Sequence, residues 1–167
     1  MLISTEQANR LVQRVREGTA IFIDGNVPSQ KNSKQILRKR TNIKEYCPHC
    51  KKFLKTKTIP FIASSKLTLK YKEVKEVEYL KSKRLFKKLT KGIKPPYVIG
   101  YFIIRDSKRG FDYTNISEAP QDIFTKLGFW DDDKMVFNIP IFLGYHVSKP
   151  NAGLIIVILN NKVTIEI

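Results

Sequence analysis

The chain has 167 residues and carries 31 Lys and Arg against 15 Asp and Glu, a formal net charge of +16. With 42% apolar residues it can fill a core, which excludes a disordered polycation. No apolar run approaches the ~18 residues of a membrane span. The N-terminus lacks a signal-peptide stretch, and two cysteines are too few for a secreted disulfide scaffold. The expectation is one soluble, intracellular, basic domain that meets a polyanion and no membrane.

In chain order, Ser4 and Gln7 fit a capping box, and Ala8, Leu11, Val12 and Val15 follow at helical spacing up to Gly18. Ala20–Ile23 reads as a strand and Asp24–Ser29 as a loop. Gln35–Ile43 and Thr58–Ala63 read as a hairpin with Cys47 and Cys50 at its tip. Ser64 or Ser65 can cap a long basic helix with an apolar stripe at Leu67, Tyr71, Val74, Val77 or Glu78, and Leu80. It continues, with a break, to about Leu89, and Pro95-Pro96 ends the region. Tyr97–Arg105 is a strongly apolar strand. Ile116, Ala119, Ile123, Phe124 and Leu127 mark a second core helix, stopped by Gly128. Val136–Val147 and Leu154–Leu159 read as strands, and Asn160-Asn161 as a turn into a last strand at Val163–Ile167.

Charge is partitioned along this order. Lys31 to Lys94 holds 21 basic residues against Glu45, Glu73, Glu76 and Glu78, a net +17 that leaves the remainder at −1. Asp112 to Asp133 holds six acids (Asp112, Glu118, Asp122, Asp131, Asp132, Asp133) against Lys126. A basic stretch attracts phosphates. The acids read either as oxygen ligands for divalent cations or as a solvated patch balancing the basic one. A helix of about twelve residues is ~18 Å long, so acids at its two ends converge only if the chain folds back.

Three segments carry a resemblance. Pro28-Ser29-Gln30-Lys31-Asn32-Ser33 follows a strand, Asp112-Tyr113-Thr114-Asn115 opens a helix, and Gly128-Phe129-Trp130-Asp131-Asp132-Asp133 follows it. In this order and spacing they resemble the RusA family of phage-encoded Holliday junction resolvases, over roughly Ile21 to Leu159. The resemblance implies an α+β fold: one RusA-like domain over 1–167, a mixed β-sheet flanked by helices, forming a homodimer. Residues 41–58 would be a basic hairpin or loop insertion. It implies a magnesium-dependent endonuclease, with manganese as an alternative, that resolves four-way DNA junctions in recombination and repair. The setting would be a bacterial cytoplasm, with a phage or prophage origin. Asp112 and Asp133 match the family's catalytic acids, Asp132 is the acidic neighbour, and Asn115 matches the Asn closing the first motif.

Two positions depart from that pattern. The family's second Asp is Thr114 and its catalytic Lys is Glu118. Four residues apart on a helix, Thr114 and Glu118 share a face, so Glu118 can return the lost oxygen ligand. The Lys role passes to Lys126 or Lys134, or goes unfilled. The site read this way is Asp112, Asp132, Asp133 and Glu118, with Thr114 as a further metal ligand. Structural alternatives stand beside it. Asn115 with Glu118 fits a capping box, a helix start at Ser117 suits Pro120, and Asp131 is a solvated acid. Trp130 belongs either to the core or to a base-stacking surface. The competing functions are a junction-binding relative with weak or no cleavage, and a general basic nucleic-acid module.

The DNA track is read at Lys31, Lys34, Arg38, Arg40, Lys66 and Lys70, contacting phosphates without reading bases. Tyr46, Phe53, Phe61, Tyr71, Tyr79 and Phe86 are interleaved, as junction wedges or as core. Cys47-Pro48-His49-Cys50 is half of a zinc knuckle. Structural zinc takes four ligands, so the pair either completes a four-cysteine site across a dimer or is a pair of reduced loop thiols.

Overall fold

A computed structural model describes residues 2–29, 35–63, 65–132 and 134–159. Their order is α1 (Thr5–Arg16), β1 (Ile21–Asp24), β2 (Gln35–Tyr46), β3 (Phe53–Ala63), α2 (Lys66–Leu89), β4 (Tyr97–Arg105), α3 (Tyr113–Lys126), β5 (Asn138–Val147), a 3-10 turn at Lys149–Asn151, and β6 (Gly153–Ile158). The fold is α+β. One sheet has the order β1-β6-β4-β5, with β4 and β5 parallel and the other pairs antiparallel. The second sheet is the β2–β3 ribbon alone. The turn at Asn160-Asn161 and the strand expected at Val163–Ile167 lie outside the described residues.

β4 has no polar face because both its sides are covered, the pattern of a strand buried on two faces. Ile99, Tyr101 and Ile103 share a core with Leu154, Ile156, Ile21, Ile23 and the helices α2 and α3. The alternate residues Phe102 and Ile104 join Ile155, Val157, Ala20 and Ala8, where Leu11, Val12 and Val15 of α1 pack. The sheet is thus sandwiched between α1 and the α2–α3 pair.

α1 starts where its capping box predicts. The Gln7 amide donates to Ser4 Oγ at 3.2 Å, and the Ser4 amide donates to Gln7 Oε1 at 3.1 Å. α2 is capped by Ser65, whose Oγ accepts from the Thr68 amide at 3.1 Å. It runs unbroken from Lys66 to Leu89, without the expected break.

The buried face of α2 also differs from the expected stripe. Leu67, Val74, Val77 and Leu80 are exposed, while Thr68, Tyr71, Tyr79 and Phe86 are buried. The physical reason is aromatic area. Tyr79 and Phe86 pack against Phe124 with ring centroids 5.1 and 6.1 Å apart, and Phe86 also meets Phe129 at 5.0 Å. Tyr71 and Tyr79 pair their hydroxyls at 3.1 Å, which satisfies two polar groups inside the core. Burial pushes both phenols well above the ordinary tyrosine range. Trp130 is a core residue: it lies on Phe124 at 5.0 Å, and its Nε1 donates to Thr125 Oγ1 at 2.9 Å.

α3 begins at Tyr113 with Asp112 as its N-cap, so the alternative start at Ser117 is not taken. Pro120 sits inside the helix, buried, and not in its first turn. The Asp112 carboxylate caps the helix three residues before Asn115, which puts Asn115 inside the first turn and removes the Asn115–Glu118 capping box.

The ribbon is longer than the strands read from the sequence. β2 and β3 pair from Gln35↔Ala63 to Tyr46↔Phe53, with a register shift between Arg40 and Lys44. Residues 41–58 are therefore mostly hairpin.

Gly153, paired with Asp24 and Ile104, admits no side chain. A Cβ there would lie 2.5 Å from the Phe22 ring and 2.7 Å from the Ile23 carbonyl oxygen. Backbone cannot yield as a side chain can, so Gly153→Ala should destabilise the fold by about 1–3 kcal/mol, seen as a lower Tm. A melt unchanged from wild type would show that β1 moves away freely.

Candidate acidic site and nucleic-acid interface

The N-terminus of α3 gathers the first motif. Asp112 Oδ1 accepts from the Thr114 amide at 3.0 Å and from the Thr114 hydroxyl at 2.6 Å. Thr114 thus holds the carboxylate while the carboxylate caps the helix. Asn115, one residue on, is 4% exposed, and its buried Oδ1 has no hydrogen-bond partner among the described residues. Glu118 is half-buried one turn further along, on the Thr114 face.

The second motif lies elsewhere. α3 has fourteen residues, about 21 Å of helix. Phe129 and Trp130 pack at its C-terminal end. Asp131 is exposed, and Asp132 pairs with Lys134 at 2.7 Å. Asn138 then opens β5 opposite Tyr97, at the start of β4, whereas α3 begins beyond the end of β4. Asp112 and Asp132 therefore stand at opposite ends of α3, and the fold-back that would join them is not present within the described residues of one chain. Asp133 lies outside the described residues. Among the described residues no three His, Cys, Asp or Glu side chains form a metal-holding group.

Of the two candidates for the missing lysine, Lys126 is tied to Glu76 of α2 at 2.5 Å. Lys134 is the one beside an acid of the second motif.

Sequence reading missed Arg105. It ends β4 and is 8% exposed, with its guanidinium 4.7 Å from the Phe111 ring centroid. Its Nε has no hydrogen-bond partner among the described residues. Burial pushes its pKa down, and Asp106 works against that shift; the group remains a cation. Asn26, Arg105, Asp106, Ser107, Arg109 and Lys149 line an open cleft of about 420 Å³. Three cations to one acid make it attractive to a phosphate. Phe111, whose ring faces the Arg105 guanidinium, directly precedes Asp112 in the chain. An Arg at the end of an apolar strand looks like a strand terminator, and only the fold shows that it is buried.

The basic residues divide by environment. Lys72 bonds Asp122 at 2.5 Å, Lys75 pairs with Asp24 of β1 at 3.6 Å, and Lys83 donates to the Leu127 carbonyl at 2.5 Å. These lysines fasten α2 to its neighbours. Lys66 and Lys70 are exposed on α2, and Arg38 and Arg40 are exposed on the ribbon two residues apart, hence on one face. Lys31 and Lys34 lie outside the described residues. Tyr71, Tyr79 and Phe86 are core, while Tyr46 and Phe53 are exposed near the ribbon tip; the Phe61 side chain lies outside the described set. No helix of the described residues is long and apolar enough to cross a membrane.

At the tip, Cys47 is half-buried, Cys50 is exposed, and both are free thiols. Backbone N–H groups of Cys50 and His49, and the Cys50 side chain, hold the Cys47 thiol below its ordinary value.

No known protein-family model matches the chain, and no curated protein matches it.

The two lysine classes should respond differently to alanine. Lys66→Ala and Lys70→Ala should each weaken binding to DNA of any sequence and flatten the log Kd against log salt plot by about 1, with Tm unchanged. Lys72→Ala should lower stability by up to about 1 kcal/mol and leave the salt slope in place. Salt titration by fluorescence anisotropy checks this, and an unchanged slope for Lys70→Ala would remove α2 from the interface.

Proposed function

We propose that the chain is a magnesium-dependent DNA endonuclease of the RusA type, cutting four-way junctions as a homodimer in recombination and repair. The observation that supports this best is an acidic helix start, Asp112 with Thr114 and the orphaned Asn115 oxygen, one residue after the Phe111 ring that faces Arg105 of the basic cleft. An acid beside a phosphate-attracting cleft is what metal-assisted phosphodiester hydrolysis requires.

Magnesium prefers oxygen and keeps several waters, often taking only one or two carboxylates. Asp112, Thr114, Asn115 and Glu118 are all oxygen donors and fit it. A divalent cation held there supplies positive charge at the scissile phosphate and acidifies water. Arg105, Arg109 and Lys149 bind and orient the phosphate, and the exposed ribbon and α2 cations hold the flanking backbone. Thr114 fixes the Asp112 carboxylate through its hydroxyl, so the acid does not swing. The second acidic end, at Asp132, is a helix length away in the same chain. A homodimer is the arrangement that can bring one chain's second motif to the other chain's Asp112.

A second reading, junction binding without cleavage, is favoured by one observation: both bonds from Thr114 engage Asp112 as a helix cap. A four-way junction incubated with magnesium, manganese or EDTA separates the two readings. Under the first, paired nicks appear near the crossover with metal, and Asp112→Asn and Asp133→Asn each reduce them by about 100-fold or more while binding is kept. Mixing the two inactive variants should restore part of the cleavage if each site draws on both chains. Tight junction binding with no nick under either metal establishes the second reading.

A further inference from the structure

We propose that the tip of the β2–β3 ribbon is half of a structural zinc site, completed by the same tip of a second copy, with Cys47 and Cys50 from each chain as the four ligands. This site stands apart from the acidic one and does not depend on the nuclease reading.

The geometry is that of a preformed two-thiolate knuckle. Cys47 and Cys50 are three residues apart in the segment 47–52 that joins β2 to β3. The Cys50 amide donates to Cys47 Sγ at 3.5 Å, so backbone N–H already points at a sulfur that would carry thiolate charge. The loop is closed by two further bonds, from the Cys47 amide to the Lys52 carbonyl at 2.8 Å and from the Lys51 amide to the Cys47 carbonyl at 3.0 Å. Lys51 holds the left-handed region at φ 57° to make this closure, a conformation few non-glycine residues adopt. Short hairpin loops close in this way; the feature that suits a metal is the Cys50 amide aimed at Cys47 Sγ.

Two sulfurs do not satisfy zinc, which takes four ligands in structural sites. Among the described residues no third His, Cys, Asp or Glu joins the pair. The remaining ligands must come from outside this chain's described residues, and a second identical tip offers two more thiolates of the right kind. The surroundings suit that partner. Tyr46 and Phe53 lie edge to face at 6.0 Å at the strand ends that flank the knuckle, each more than half exposed. Lys51 and Lys52 flank the thiols. A zinc held by four thiolates carries a net −2, which offsets the lysines that two approaching tips bring together. On binding, four S–H bonds break, four Zn–S bonds form, and four protons go to the buffer; nothing is oxidised or reduced.

The test uses the full-length reduced protein titrated with Co²⁺ and then with Zn²⁺. The expected result is the intense visible absorption of a tetrahedral four-thiolate site, saturating at one cobalt per two chains and displaced by zinc. Cys47→Ser and Cys50→Ser should abolish that spectrum with an unchanged melting curve, because the ribbon lies outside the four-stranded sheet. His49→Ala should leave the spectrum intact. No uptake, saturation at one ion per chain, or a spectrum altered by His49→Ala would each overturn the four-cysteine site. Closure of a Cys47–Cys50 disulfide in the wild type that persists with zinc present would overturn it equally.

Discussion

β4 must hide two apolar faces at once, and this requirement arranges the rest of the molecule. Its odd-numbered side chains demand the α2–α3 pair and its even-numbered ones demand α1. The parallel pairing with β5 requires a crossover, and α3 is that crossover. The crossover delivers Asp112 beyond one end of β4 and Asp131–Asp132 to the other. The strand itself ends in Arg105, whose charge is held just under the rim where the acidic helix start begins. The spacing of the acids is thus fixed by how a parallel strand pair must be connected.

Much of this was legible in the residues. The Ser4–Gln7 box, the unbroken apolar run of β4 and the hairpin between Gln35 and Ala63 are local signals, and each appears where it was expected. The face of α2 was not legible. A period near 3.6 says which residues can share a side, but α2 has two apolar sides, and the choice is made by the aromatic partners Phe124 and Phe129 on another element. The start of α3 was open between two readings for a related reason: the Asp112–Asn115 motif places it early and Pro120 argues locally for a later start, and the Asp112 cap with burial of Asn115, Ile116 and Ser117 decides for the earlier one. The acidic pattern was readable as a list of residues. Its distribution over the two ends of a helix was readable as well; whether the chain folds back to join those ends was not, because that depends on strand order.

The basic surface teaches a related lesson about charge. Lysines close together in sequence serve opposite purposes on α2. Those facing Asp122, Asp24 and the Leu127 carbonyl act as fasteners, and their charge is spent inside the protein. Only those turned outward, with the ribbon cations, contribute to a field that a polyanion can feel. The same cations protect the ribbon. Both its strands are edges, and charged side chains along open edges discourage pairing with stray strands.

The ribbon also has a mechanical meaning. Strands of eleven and twelve residues make an arm about 35–40 Å long. At that length a tilt of about 10° at the base swings the tip by roughly 6 Å. A joint between two such tips would turn a pair of levers into a caliper. Its opening would be set by the angle at each base, so two globular bodies could be held at a chosen separation without touching each other.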